Sequence, residues 1–211
     1  MTLLAYPIAK RTLFPLLRLF LKDINGIENI PINGPFIVTS IHESYLDPLL
    51  IASVIIPIRN AKVHFIANKG RFWDIFGYKI AKGWAGCVPL DDGKERALHE
   101  LFGLLKNDGI VGMFIEGPRS SDGNLREGKT GVVRLALKAK VPILPIGLTG
   151  TFDIAPNNKI LPKLKRAKML IGTPIALNEH YSSKPTERLV RKLTGKVMHS
   201  ISALTNKPYP Y

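Results

Sequence analysis

A base that takes a proton from an alcohol needs an imidazole held by a carboxylate, and one stretch of this chain offers that pair. It is Ile41-His42-Glu43-Ser44-Tyr45-Leu46-Asp47, which follows an apolar run from Phe36 to Ser40. In a chain that bends there from strand to helix, Asp47 can accept a hydrogen bond from one ring nitrogen of His42. The other nitrogen is then left as a base facing a pocket. The same residues allow a plainer reading. Ser44 followed by Asp47 has the form of a helix capping box, with the carboxylate satisfying backbone donors of the first turn.

A second polar cluster leaves the apolar run Ile110 to Ile115. It reads Glu116-Gly117-Pro118-Arg119-Ser120-Ser121. The planar guanidinium of Arg119 suits a phosphate, and Ser120 and glycine-permitted backbone amides can help hold the same anion. The alternative is a turn in which Glu116 and Arg119 pair with each other or with solvent. A third place, Val141-Pro142-Ile143-Leu144-Pro145-Ile146, is apolar and twice broken by proline. Because Pro145 has no amide hydrogen, that strand is expected near a sheet edge or irregular there. Its residues are core packing or, more specifically, a wall for an acyl chain.

The elements that would position these residues alternate. Strands are expected at Phe36–Ser40, Val63–Ala67, Gly86–Pro89, Ile110–Ile115, Ile143–Gly147 and Lys168–Gly172, with helices near 45–56, 71–82, 93–107 and 129–140. A last amphipathic helix is expected near 186–204, with Leu189, Val190, Leu193, Val197, Met198, Ile201 and Leu204 on its core side. The alternation predicts an α/β fold, a single domain with a central, largely parallel or mixed sheet flanked by helices. In such sheets ligands bind beyond the carboxyl ends of strands, where the first two clusters would lie.

The 211 residues are 45% hydrophobic, enough for one core without disulfides, and Cys87 is the only cysteine. Thirty Lys and Arg against sixteen Asp and Glu give a charge of +14, so the expected partner is anionic. Phospholipid headgroups, coenzyme A, an acidic carrier protein and nucleic acid all satisfy that requirement. No apolar stretch is long enough for a transmembrane helix, and no secretory cleavage site is evident. Residues 1–23 are expected to form an amphipathic helix in contact with a membrane surface, ahead of a domain over 24–211. Leu13, Phe14, Leu16, Leu17, Leu19, Phe20 and Leu21 there surround Arg11, Arg18 and Lys22. Packing of this helix on the protein's own core is the alternative.

Taken in order, the clusters resemble the sequence blocks of the lysophosphatidic acid acyltransferase branch of the glycerolipid acyltransferase family. His42, Ser44 and Asp47 match its first block, and Phe114, Glu116, Gly117, Arg119 and Ser120 its third, where Ile115 and Pro118 depart. Val141 to Ile146 match its fourth. Gly128-Lys129-Thr130-Gly131 and Arg134-Leu135-Ala136 look like the family's helix start after the third block. Gly86 to Asp91 follow the second block, but Asp92 stands where the family commonly has arginine; Lys94 or Arg96 could supply the missing charge. Lys69, after Val63–Ala67, resembles a family lysine near the substrate phosphate.

The resemblance implies transfer of a fatty acyl group from a thioester, acyl coenzyme A or acyl carrier protein, to a hydroxyl of a lysophospholipid acceptor. Lysophosphatidic acid giving phosphatidic acid is the foremost case. His42 would be the general base and Asp47 its orienting partner. Arg119 and Lys69 would anchor the acceptor's phosphate, with Glu116, Gly117 and Ser120 shaping that site. The implied enzyme needs no metal and no bound cofactor, takes the thioester as co-substrate, binds no nucleic acid, and works peripherally or monotopically at the cytoplasmic face of a membrane.

Two other readings compete. Gly123 to Thr130 fits the phosphate-loop pattern of nucleotide hydrolases letter for letter, although residues 116–122 separate it from the preceding strand. Charge alone motivates a basic nucleic-acid-binding or lipid-binding module without catalysis; the basic residues are spread along the chain without an aromatic stacking block.

Overall fold

A computed structural model describes residues 5–68, 77, 79–91, 93–154, 163–182 and 184–211. Two short helices, α1 (Ala5–Arg11) and α2 (Leu13–Arg18), lead into strand β1 (Leu21–Asn25). There follow β2 (Phe36–Ser40), α3 (Asp47–Arg59), β3 (Val63–Ala67), a π-helical turn at Lys79–Trp84, β4 (Val88–Pro89), α4 (Lys94–Lys106) and β5 (Ile110–Phe114). The chain continues through α5 (Gly131–Ala139), β6 (Ile143–Thr149), α6 (Thr151–Ile154) and β7 (Ala167–Ile171), and α7 (Glu187–Thr205) precedes a short tail.

The strands form one sheet in the order β1-β7-β6-β2-β5-β3-β4. From β6 to β4 every neighbouring pair is parallel, whereas β7 runs antiparallel to β6 and carries β1 parallel to itself. The expected α/β architecture with a largely parallel, mixed sheet is therefore the observed one. Parallel strands joined by crossovers need helices on both faces, and all five residues of central β2 are buried accordingly. Its side chains alternate between two cores. Ile37 packs toward α4, α5 and α7 with Val111, Leu101, Val133 and Val197, while Phe36 and Val38 pack toward α2 and α3 with Phe14, Leu50, Val54 and Leu144.

β2 and β3 have the expected limits, β5 ends one residue sooner than expected, and β4 is shortened to Val88–Pro89. Of the helix expected over 71–82, residues 71–76 and 78 lie outside the described residues. Pro145 is not on an edge: it lies opposite Thr39 of β2, with β7 on its other side. The irregularity expected of it is present. The β6–β7 ladder runs from Thr149 to Ile146 and resumes only as an Ile143–Ile175 bridge, and between them the Gly172 amide donates to the Pro145 carbonyl at 2.9 Å. A strand that lacks one donor is tolerated inside the sheet because its neighbour is broken at the same level. Ile143, Leu144 and Ile146 are fully buried, which makes them core rather than an acyl-chain wall.

The N-terminal segment differs from one continuous helix. α1 and α2 are separated at Thr12, and the expected division at residue 23 falls inside β1, whose Leu21 pairs with Ala167. Local periodicity could not reveal this, because β1 owes its strand to hydrogen bonds with β7, a segment remote in sequence. Phe14 and Leu17 are buried, and the Arg18 guanidinium is held by two bonds to the Ser53 carbonyl at 3.0 and 2.6 Å. Ile8, Leu16 and Leu19 remain exposed.

One glycine in the sheet links the core to the polar end. A Cβ on Gly112 in β5 would lie 2.4 Å from the Phe65 ring, so only glycine lets that ring lie across the strand. Phe65 in turn stacks on Phe114 at 5.7 Å between centroids.

Candidate active site

The carboxyl ends of β2 and β5 lie side by side, with Ser40 paired to Phe114, so the chains leaving them meet at once. The first polar residue past β2 is His42, whose imidazole stacks flat on Phe114, 3.8 Å between centroids and 7° from parallel. Its Nδ1 lies 2.8 Å from Oδ2 of Asp47, the first residue of α3. The same oxygen accepts the backbone amides of Glu43 at 2.7 Å and Ser44 at 2.8 Å. The capping box is not formed: Leu46, not Ser44, caps α3 without a side-chain bond, and the Asp47 amide donates to the Ser44 backbone carbonyl at 3.2 Å. Asp47 instead reaches back to the amides of the turn before the helix, and that turn brings His42 onto the same oxygen.

Asp47 is wholly buried, whereas the His42 side chain keeps 17% of its surface open. A buried carboxylate that accepts three hydrogen bonds fixes the proton on Nδ1 and leaves Nε2 as the lone-pair nitrogen. No described residue takes a hydrogen bond with Nε2.

Opposite His42, residues 115–130 form a loop closed on itself and on the His42 turn. The Ser120 amide donates to the His42 carbonyl at 2.6 Å, the Ile115 amide to Ser40 at 3.1 Å, and the Lys129 amide to Ile115 at 2.8 Å. Buried Glu116 accepts the Arg126 amide at 2.7 Å and has the Arg126 guanidinium 3.7 Å away. Burial raises the Glu116 carboxyl above its ordinary value despite these bonds. The Ser120 hydroxyl is engaged inside the loop: it donates to Asp122 at 3.0 Å and accepts the Gly123 amide at 3.0 Å. Gly117 takes a left-handed conformation (φ 84°), and a Cβ there would lie 2.8 Å from Nζ of Lys129, so glycine leaves room for that cation beside the site.

Arg119 lies over the Tyr45 ring, its guanidinium carbon 3.3 Å from the centroid. Its Nη1 is buried and has no acceptor among the described residues. Glu116 and Arg119 do not pair, since Glu116 is taken by Arg126. Arg119 is thereby an oriented cation, held on an aromatic face with donors to spare. Lys69 and Asp92 lie outside the described residues, while Lys94 and Arg96 stand exposed in the first turn of α4.

Several contributors were not singled out from the sequence. Tyr45 supplies the surface under Arg119, as Phe114, known only as a block match, does under His42. Glu43, buried beside Asp47, pairs with Lys207 of the C-terminal tail. Tyr45 falls inside the His42–Asp47 motif, but Lys207 lies 164 residues from Glu43 and no local pattern connects them.

The phosphate-loop pattern at Gly123 to Thr130 has no phosphate-loop shape. The loop's amides at Gly123, Asn124, Arg126, Gly128 and Lys129 donate to Ser120, Asp122, Glu116, Tyr209 and Ile115 respectively. A phosphate cradle needs such amides unoccupied and convergent. Cys87 offers no nucleophile, because burial pushes its thiol up to about 11. Among the described residues, no three His, Cys, Asp or Glu side chains group as metal ligands.

The acyltransferase family model matches residues 22–149, which runs from the second residue of β1 to the end of β6 and includes both polar loops. The chain belongs to the acyltransferase family. The family domain thus contains His42, Asp47 and Arg119 together. A chloroplastic 1-acyl-sn-glycerol-3-phosphate acyltransferase of Brassica napus is 36% identical over 144 residues, 64% of this chain and 39% of that protein. The chain therefore spans about two fifths of the length of that relative. The 1-acyl-sn-glycerol-3-phosphate acyltransferase of Bacillus subtilis is 26% identical, with 85% of this chain and 86% of that protein aligned. The crystal structure of PlsC, a 1-acyl-sn-glycerophosphate acyltransferase from Thermotoga maritima, superposes with a TM-score of 0.66 at 25% identity, covering 94% of this chain and 83% of that one.

The raised Glu116 carboxyl has a consequence for stability. Glu116 binds its proton more tightly folded than unfolded, so its ionisation opposes the fold. That opposition is absent below the unfolded value and grows as pH rises through the folded one. Glu116→Gln keeps an acceptor for the Arg126 amide and removes the charge. Its Tm relative to the parent protein should be more favourable at pH 7 than at pH 4, as thermal melts at both pH values will show.

Proposed function

We propose that the chain transfers a fatty acyl group from a thioester, acyl coenzyme A or acyl carrier protein, to the free hydroxyl of lysophosphatidic acid. The observation that carries this reading is the His42–Asp47 hydrogen bond at the end of β2, which leaves Nε2 without a partner among the described residues, with Arg119 held over Tyr45 of the same turn. The family and the names of its similar members support the acceptor class.

In the proposed reaction the acceptor's phosphate binds Arg119, assisted by Lys129 and Lys69, and its hydroxyl lies against Nε2. As the oxygen attacks the thioester carbonyl, Nε2 takes the hydroxyl proton and Asp47 stabilises the resulting imidazolium. The tetrahedral intermediate collapses with cleavage of the carbon–sulfur bond. The departing thiolate recovers the proton from His42, leaving an ester and a free thiol. Stacking on Phe114 and bonding to Asp47 fix the ring, so part of the catalytic advantage is orientation set in advance by the fold.

The lipid substrate also suggests where the protein works. At the sheet end that holds His42, the Arg166 guanidinium donates to the carbonyls of Leu19 at 3.0 Å and Leu21 at 2.9 Å. Lys163, Leu164 and Lys165 directly precede Arg166 in the chain. Leu164 is 98% exposed, Leu19 63% and Leu16 58%. Exposed leucines in segments that also carry Lys163, Lys165, Arg166 and Lys22 suit an anionic bilayer, with leucines among acyl chains and cations at phosphates. Among the described residues no helix is long and apolar enough to cross a membrane.

Two experiments test these proposals. Acyl transfer to lysophosphatidic acid should fall by about 10²- to 10⁴-fold in kcat/KM for His42→Ala, the usual contribution of a general base. Arg119→Ala should raise KM for lysophosphatidic acid about tenfold or more and leave an unphosphorylated monoacylglycerol unaffected. Undiminished transfer by both variants contradicts the assignment. For the membrane face, sedimentation with vesicles containing phosphatidylglycerol should weaken severalfold in Leu19→Ser/Leu164→Ser. Binding equal to the parent protein's rules that face out.

A further inference from the structure

The proposed reaction uses Asp47 and His42 but leaves their neighbour Glu43 unexplained. Its carboxylate is 1% exposed and lies near two other buried carboxylates, Asp47 and Glu116, both of which act to keep it from ionising. Three acids in so small a volume need cations. Arg126 serves Glu116 from within its own loop. Glu43 is served from the far end of the chain by Lys207, whose ammonium donates both to the Glu43 carboxylate and, at 2.6 Å, to the carbonyl of Gly123.

The C-terminal segment is built to deliver that ammonium. Asn206 adopts a left-handed conformation (φ 52°) that ends α7 and turns the chain back. The Lys207 backbone is then held at both ends: its amide donates to the Ser202 carbonyl at 3.2 Å and its carbonyl accepts the Ser202 hydroxyl at 2.5 Å. Two residues on, the Tyr209 ring stands edge-on to His199, and its hydroxyl accepts the Gly128 amide at 3.4 Å. The tail therefore grips the 115–130 loop at Gly123 and Gly128 and the His42 turn at Glu43.

We propose that Lys207 is a positioning residue for acyl transfer, an internal clasp that sets the His42–Asp47 turn and the Arg119-bearing loop relative to each other. The inference rests on the reading of His42 as the base. An exposed ion pair would carry little weight, but Glu43 is sealed from water. Removing the cation leaves a buried charge without compensation, so the carboxylate must take up a proton or pull its turn outward. The Glu43 amide is one of the three donors to Asp47, so an outward turn loosens the carboxylate that aims His42.

The test compares Lys207→Met, Lys207→Arg, Glu43→Gln and Glu43→Gln/Lys207→Met in the full chain. Acyl transfer from acyl coenzyme A to lysophosphatidic acid is measured well below each variant's Tm, together with hydrogen–deuterium exchange. Lys207→Met should lose about ten- to a hundredfold in kcat with little change in KM for the thioester, the scale of a small misplacement at a catalytic group. Lys207→Arg should retain most of the rate, and the double variant should recover most of it. Exchange in Lys207→Met should quicken over both 41–46 and 118–127. A kcat unchanged in Lys207→Met, or quickened exchange confined to 206–211, overturns the proposal. If the parent protein transfers no acyl group, the functional reading fails on its own, and exchange in the two loops still decides whether Lys207 clasps them.

Discussion

One carboxylate oxygen holds this site together. Oδ2 of Asp47 accepts the His42 ring and the amides of Glu43 and Ser44, so a single atom defines the turn before α3 and aims the imidazole. The acid sits in the first turn of α3, where backbone donors and the helix dipole both favour negative charge. Its three hydrogen bonds and its place at the helix start offset the cost of burying a carboxyl group at this end of the sheet.

The rest of the polar end follows from placing such a charge inside. Glu43 and Glu116 add two more buried carboxylates, and burial pushes both above their ordinary values. Each is met by a cation from a different part of the chain, Lys207 and Arg126. Arg119 is not drawn into this exchange. It rests on Tyr45 and stays available to an anion from outside, which is why it, and not the paired arginine, suits a substrate phosphate. The apolar side is equally specific: the absence of a side chain at Gly112 admits Phe65, Phe65 stacks against Phe114, and Phe114 carries the His42 ring.

Short-range features of this design were legible in the sequence. The alternation of apolar runs and helical patterns gave β2 and β3 with their limits, and the spacing of His42 and Asp47 implied the acid–imidazole pair, whereas the Ser44–Asp47 capping box is not formed. Features that depend on distant pairing were not legible. β1 hides in a leucine-rich stretch that reads as helix until β7 is placed beside it. Pro145 predicted an edge or an irregularity and only the second is present, because sequence cannot tell an edge from an interior strand whose neighbour breaks at the same level. Ser120 has the type of an anion ligand, yet the loop consumes its hydroxyl. Lys207 is one of thirty basic residues, and only the fold singles it out.

The central claim concerns which nitrogen of His42 carries the proton, and nitrogen NMR of ¹⁵N-histidine-labelled protein near neutral pH reads that directly. The expected spectrum has a protonated, hydrogen-bonded Nδ1 and an unprotonated Nε2 for His42, with the Nδ1 proton protected from exchange in the parent protein and exposed in Asp47→Ala. A proton resident on Nε2, or a His42 signal indifferent to loss of Asp47, would contradict the account.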